Sequence, residues 1–219
     1  SLKNIKTIAT QERFLANFVF HNFSTFDYYF VMGEIVKEWM EAESGYYNVG
    51  KVIALAPIRL DAIHQATKMV LPEKYAKIKE DYFIILALDY HSAKDRIGNC
   101  STYYNSWNNN KKYYTDMIRL AIELPECFIV IKGKDAEVCQ HPEFEDLMDI
   151  MKVLPNITVE EELDSYSPSQ MVAIADAGIA MYSSLGDEML AAGKPVLFYD
   201  FMGIPSSYFD YEKNPVIVE

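Results

Sequence analysis

Ala175-Asp176-Ala177-Gly178-Ile179-Ala180-Met181-Tyr182-Ser183-Ser184-Leu185-Gly186-Asp187-Glu188-Met189-Leu190-Ala191-Ala192-Gly193-Lys194-Pro195-Val196-Leu197-Phe198-Tyr199 is the stretch that decides the fold. It reads as a strand, a tight Ser-Ser-Leu-Gly turn, a short helix, a Gly-Lys-Pro break and a second apolar strand. A strand that feeds a turn of small residues and a helix N-terminus is suited to phosphate, because backbone N–H groups and the helix dipole face the anion.

The same alternation runs outward from this block. Tyr82 to Leu88, Phe128 to Ile131 and Ile157 to Val159 are apolar runs of strand length. Between them Trp107 to Leu124 has Tyr114, Met117, Ile118 and Ala121 spaced for one buried helix face, and Phe144 to Val153 and Pro168 to Ala175 read as helices, the latter with Ser167 as N-cap. Val216 to Val218 reads as a last strand. Strands alternating with helices predict an α/β fold, a Rossmann-like parallel sheet with helices on both faces. Ligands of such sheets bind at the carboxyl ends of the strands. The loops Asp89 to Ser92, Lys132 to Asp135 and Tyr182 to Gly186 are expected to meet there. Upstream, Phe26 to Met32 reads as a strand, Glu34 to Ala42 as a helix after Gly33, and Val52 to Ala56 as a short apolar run. The expected division is residues 1–78, a helical junction segment, and residues 79–219, the Rossmann-like domain.

Composition narrows the function. The chain has 219 residues, half of them apolar, with 16 Tyr and 12 Phe, enough for a large core. Its net charge of −12 argues against sequence-independent nucleic-acid binding, which needs Lys and Arg on phosphates. Cys100, Cys127 and Cys139 lack metal-ligand spacing, and Cys127 reads as a small core residue. No metal site is expected. No signal peptide or membrane-spanning run is apparent, and the abrupt ends suggest a piece of a longer protein.

Each candidate residue has a structural and a functional reading. Ser184 can cap the helix with Asp187 reaching back, or the Ser183–Ser184 hydroxyls can join free amides around a phosphate. Gly186 costs about 1 kcal/mol in a helix relative to Ala, and its bare backbone admits a ligand. Glu188 is either an exposed carboxylate favouring the helix N-terminus or an acceptor for ribose hydroxyls. Lys132, at a strand end, is either a solvated lysine or a point charge for a phosphate. His91 can donate to a phosphate or sugar. His141-Pro142 reads as a helix start, Asn108 to Asn110 as a turn or helix approach, and Glu160 to Glu162 as a solvated loop. The pairs Tyr103-Tyr104 and Tyr113-Tyr114 read as core more than as a base-stacking surface.

Ala175 to Tyr199 resembles the C-terminal half of GT-B glycosyltransferases in its order of helix, Ala-Asp, strand, Ser-Ser, Glu and Ala-x-Gly-x-Pro-Val. It also resembles the CDP-glycerol glycerophosphotransferases of surface-polymer synthesis. Ala56-Pro57-Ile58-Arg59-Leu60-Asp61 is similar to the Gly-x-Pro-Arg-x-Asp segment of those enzymes, and Phe26 to Met40 to the element before it. The resemblance implies that residues 79–219 bind the donor and residues 1–78 are the end of an acceptor domain and the interdomain junction. Ser183, Ser184, Leu185 and Gly186 would hold the donor diphosphate, Glu188 the ribose, with Lys132 secondary and Arg59 facing the phosphates or pairing with Asp61. No cofactor is implied beyond the donor substrate, a UDP- or CDP/CMP-linked sugar or polyol. The partner would be a glycan or lipid-linked acceptor, met in the cytoplasm or peripherally at the inner face of the membrane. The catalytic base would lie in an N-terminal half not contained here. Two departures stand out. Ala180 replaces the first residue of the retaining Glu-x7-Glu pair, and Lys132 lies far from His141-Pro142 where the polymerases have Lys-x-His-Pro. Other readings are a non-catalytic nucleotide-binding or scaffold module and a UDP-sugar 2-epimerase-like enzyme.

Overall fold

The computed structural model describes residues 5–11, 25–42, 48–89, 106–134, 137–161, 166–181, 183–199, 201 and 217–218. Two parallel sheets organise them. The first contains β1 (Ile8–Thr10), β2 (Thr25–Met32) and β3 (Asn48–Leu55) in spatial order 1-2-3, with α1 (Glu34–Ala42) between the last two strands. Gly33, at φ +89°, makes the turn from β2 into α1, a conformation that glycine adopts without steric cost. Tyr29, Val31, Val36 and Met40 form a small separate core. The junction segment thus carries its own sheet beside its helices. The run expected at Val52 to Ala56 is the apolar end of an eight-residue strand.

The second sheet has six strands in spatial order 6-5-4-7-8-9. These are β4 (Phe83–Leu88), β5 (Cys127–Lys132), β6 (Ile157–Val159), β7 (Ala177–Ala180), β8 (Val196–Tyr199) and β9 (Ile217–Val218), and every neighbouring pair is parallel. The other helices are α2 (Leu60–Ala66), α3 (Glu73–Asp81), α4 (Trp107–Glu123), α5 (Glu145–Val153), α6 (Pro168–Ile174) and α7 (Ser184–Ala191). The alternation of β4 decides the layers. Ile85 and Ala87 point into a core shared with α4 and α5, whereas Ile84, Leu86 and Leu88 point into a core shared with α3, α6 and α7. Both faces of the sheet are therefore covered, as the continuous apolar strands require. Ile63 of α2 and Tyr75 of α3, both fully buried, belong to this second core. By packing, the segment from Leu60 onward goes with the large sheet.

The deciding stretch folds as its small residues dictate. A Cβ on Gly178 would come within 2.9 Å of Met189, and one on Gly186 within 2.7 Å of the Ala180 Cβ. Gly178, Ala180 and Gly186 together let α7 lie close against β7, and Met189 fills the space at 0 % exposure. Burying a side chain of this size contributes about 1.5–3 kcal/mol. Gly193, at φ +78°, ends α7 in the conformation that favours glycine after a helix.

At the amino edge of the sheet the Ala175–Asp176 pair has a structural task. The Asp176 carboxylate accepts from the Ile84 N–H at 3.0 Å and from Lys79 Nζ at 2.8 Å. Lys79 also donates to the Ile174 carbonyl, and Lys194 to the Ala175 carbonyl. Desolvation acts to raise the Asp176 carboxyl, but Lys79, the Ile84 N–H and Lys194 together hold it below its ordinary value.

Candidate functional site

The strand order places a topological switch point between β4 and β7. From β4 the chain moves outward through β5 to β6, then returns to the other side of β4 and moves outward through β7, β8 and β9. Crossovers leave in opposite directions from β4 and β7, so a crevice opens at their carboxyl ends. Asp89 follows β4 and Ser183 opens the helix after β7.

Ser183, not Ser184, caps α7. Its side chain accepts from the Leu185 N–H at 3.4 Å, and its carbonyl accepts from the Gly186 N–H at 2.9 Å. β7 ends at Ala180, so the helix begins one residue earlier than a Ser184 cap would allow, and Asp187 falls outside the capping box. Ser184 is the first helical residue and is half-buried, as is Leu185, which packs on the α3–α6–α7 core. Gly186 is buried against Ala180 and the Phe198 ring. Its missing side chain serves helix–sheet packing.

Glu188 is 3 % exposed rather than solvated. Its Oε1 lies 3.7 Å from Arg59 Nη1, an ion pair that links α7 to the turn before α2. Arg59 therefore pairs with Glu188, not with Asp61. Asp187, beside it, is pushed up to about 7 by burial and by the charge of Glu188.

Lys132 ends β5 half-buried, and its Nζ donates to the Gly133 carbonyl at 3.1 Å. Desolvation lowers its pKa, offset in part by Glu160. Glu160 itself is 1 % exposed, contrary to the expected solvated loop. The Tyr75 hydroxyl and Lys74 Nζ both donate to its Oε2, so this carboxylate anchors α3 to the end of β6.

A further polar group at this edge is not indicated by any sequence motif. Asp89, 5 % exposed, accepts from Asn110 Nδ2 at 2.6 Å and from the Tyr114 hydroxyl at 3.2 Å. Asn108 to Asn110 lie in the first turn of α4, behind the Ser106 cap, rather than in an approach to it. Asn110 Oδ1 is buried and accepts no hydrogen bond from the described residues. Tyr113 and Tyr114 are fully buried, as core residues. His141 accepts from the Glu143 N–H and stacks on Trp107 at 3.7 Å. Cys127 is buried. His91, Cys100, Tyr103, Tyr104, Glu162 and Tyr182 lie outside the described residues. Among the described residues no group of three His, Cys, Asp or Glu side chains is placed to hold a metal, and no helix is long and apolar enough to cross a membrane.

No family model and no curated protein matches the chain. Solved structures do. A variant of the wall teichoic acid polymerase TagF with CDPG is similar over 86 % of this chain and 42 % of its own, at 14 % identity and a TM-score of 0.51. Another TagF structure is similar over 86 % and 44 %, at 15 % identity and 0.50. Anabaena Alr3699/HepE, solved with UDP and glucose, is similar over 88 % and 52 %, at 12 % identity and 0.45. The chain spans less than half the length of the TagF structures it matches. Its parallel sheets, the helices around them and the two TagF likenesses give the chain the Rossmann-like α/β fold of the GT-B type, over less than half the length of those structures.

Proposed function

We propose that this chain is the donor-binding part of a glycosyltransferase or glycerophosphotransferase that builds a surface polysaccharide from a nucleotide-activated donor. The observation that carries the reading is the switch point between β4 and β7, where the Ser183–Gly186 turn opens α7. The donor diphosphate sits at that turn, held by the amide and the hydroxyl of Ser184, with Lys132 contributing charge from the end of β5. Such preorganised donors stabilise the charge that develops on the leaving diphosphate, and a metal is not required for that. The donor is a UDP- or CDP/CMP-linked sugar or polyol, and the acceptor a glycan or lipid-linked chain met in the cytoplasm or at the inner face of the membrane. The packing of Ile63 and Tyr75 on the large sheet supports moving the start of the donor domain from about residue 79 to about residue 57.

Calorimetric titration with UDP, CDP, CMP, GDP and ADP tests the reading. The expected result is saturable binding of one base class, weakened by Ser184→Ala, which leaves the Ser183 cap intact. Failure of every nucleotide to bind would refute donor binding by this chain and favour a scaffold role.

A further inference from the structure

The first turns of α4 lay a polar stripe across the seam of the switch point. The Tyr113 hydroxyl donates to the Ile179 carbonyl of β7 at 3.1 Å. Asn110 Nδ2 and the Tyr114 hydroxyl donate to Asp89, the residue directly after β4. Asn110 precedes Tyr113 and Tyr114 by three and four residues, so all three share one helix face. Asn110 is the member nearest the helix N-terminus, over the residue with which β4 reaches the crevice.

The groups present fix how its amide is turned. A carboxylate accepts, so Nδ2 faces Asp89 Oδ1 at 2.6 Å and Oδ1 is turned away. That oxygen is buried and accepts no hydrogen bond from the described residues, in a side chain that is 0 % exposed. A buried acceptor left without a donor is costly, and an apolar side chain of the same shape avoids the cost. The mounting is rigid as well. Tyr113 and Tyr114 are fully buried, and the Tyr114 ring meets Phe144 edge-on at 5.1 Å. The crevice thus has a fixed acceptor beside a carboxylate. A phosphate does not suit it, because the oxygens of a diphosphate diester have no proton to give and Asp89 repels their charge. A hydroxyl does suit it, being small, uncharged and a donor.

We propose that Asn110 Oδ1 receives a hydroxyl of the group that the donor carries beyond its diphosphate, the sugar or polyol to be transferred. This rests on the donor-binding reading above and adds a direction to it. The diphosphate lies at the β7–α7 turn, and the transferred group points toward β4 and α4. Asp89 is the positioning residue that sets the amide.

A bare nucleoside diphosphate lacks the transferred group and serves as the internal control. Calorimetry compares UDP-glucose with UDP and CDP-glycerol with CDP on the wild-type chain, Asn110→Leu and Asn110→Ser, with melting curves to verify folding. The pair that binds is then repeated with donor analogues in which each hydroxyl of the transferred group is replaced in turn by hydrogen. In the wild-type chain the intact donor is expected to bind roughly 3- to 10-fold tighter than its nucleoside diphosphate, the range for one net hydrogen bond. Both variants should bring the donor down to the level of the nucleoside diphosphate and leave the latter unchanged. One deoxy analogue should bind the wild-type chain more weakly by the same factor and the variants no differently from the donor. A donor no tighter than its nucleoside diphosphate, or a variant that weakens both equally, overturns the inference while donor binding stands. So does a wild-type chain indifferent to every deoxy change, which would assign the acceptor to a buried water and needs no variant to fold. If the wild-type chain binds neither donors nor nucleoside diphosphates, the donor-binding reading falls with it.

Discussion

Replacing Gly186 with Ala puts two opposed effects on one helix. In an isolated helix the change stabilises by about 1 kcal/mol, the difference in propensity between the residues. In this fold the new Cβ would lie 2.7 Å from the Ala180 Cβ and 3.2 Å from the Phe198 ring. The Ala180 methyl is fixed to the backbone of β7 and cannot rotate away. To reach an ordinary contact of 3.4 Å, α7 must move by about 0.7 Å. Overpacking of this kind costs about 1–3 kcal/mol; with neither methyl able to rotate away the cost is taken at about 2 kcal/mol, so steric strain outweighs propensity and a net loss of about 1 kcal/mol is expected. In a chain of this size that corresponds to a fall in Tm of about 2–4 °C. The assay is thermal and urea unfolding of Gly186→Ala, Ala180→Gly and the double variant. The double variant exchanges one methyl for another across the contact and should recover more than half of the Gly186→Ala loss. Because α7 carries Ser184, the single variant should also weaken nucleotide binding, and the double variant should restore it. A Gly186→Ala chain as stable as wild type, or a loss that Ala180→Gly does not relieve, would refute the close-packing argument.

The remaining expectations concern charge. Asp187, held at about 7 against an ordinary 3.8, keeps its proton longer folded than unfolded. The contribution of Asp187 to stability is therefore fully present below about pH 4 and is lost as pH rises through about 7. Asp187→Asn should leave Tm unchanged at pH 4 and raise it at pH 8, with an upper bound of about 4 kcal/mol for a shift of this size, and nucleotide binding by the wild-type chain should tighten as pH falls from 8 to 6. Asp176, held below its ordinary value, contributes stability above pH 3.8 that is lost as pH falls through its folded value. Asp176→Ala should cost about 2–3 kcal/mol, the scale for hydrogen bonds to a charged group, while nucleotide affinity, read by calorimetry, stays as in wild type because Asp176 lies at the amino edge.

Where the sequence was legible, burial and periodicity agree. Phe83 to Leu88 is apolar throughout because β4 is covered on both faces, and the spacing of Tyr114, Met117, Ile118 and Ala121 gives one face of α4 because only that face meets the sheet. Glu160 looks like a solvated carboxylate in sequence, and Glu188 like either a solvated one or a ribose acceptor. Their partners Tyr75 and Arg59 lie 85 and 129 positions away in the chain, and no local pattern encodes such a pairing. Gly186 showed the need for a missing side chain, yet only the packed helix tells whether a ligand or Ala180 fills the space. The cap moved from Ser184 to Ser183 because adjacent serines serve that position equally well until the end of β7 is fixed.

The position of β4 also bears on the order in which the protein assembles. Ile85 meets Ile129 on one side and Ala177 on the other. The first pairing closes a loop of moderate length, and the second waits until the chain has passed through β5, α5, β6 and α6. Contacts at larger sequence separation form more slowly. The wing β4–β5–β6 can therefore settle first, with β7, α7 and β8 docking afterwards. A chain arrested between these stages would hold Asp89 in its nest of Asn110 and Tyr114, with nothing yet facing it across the crevice.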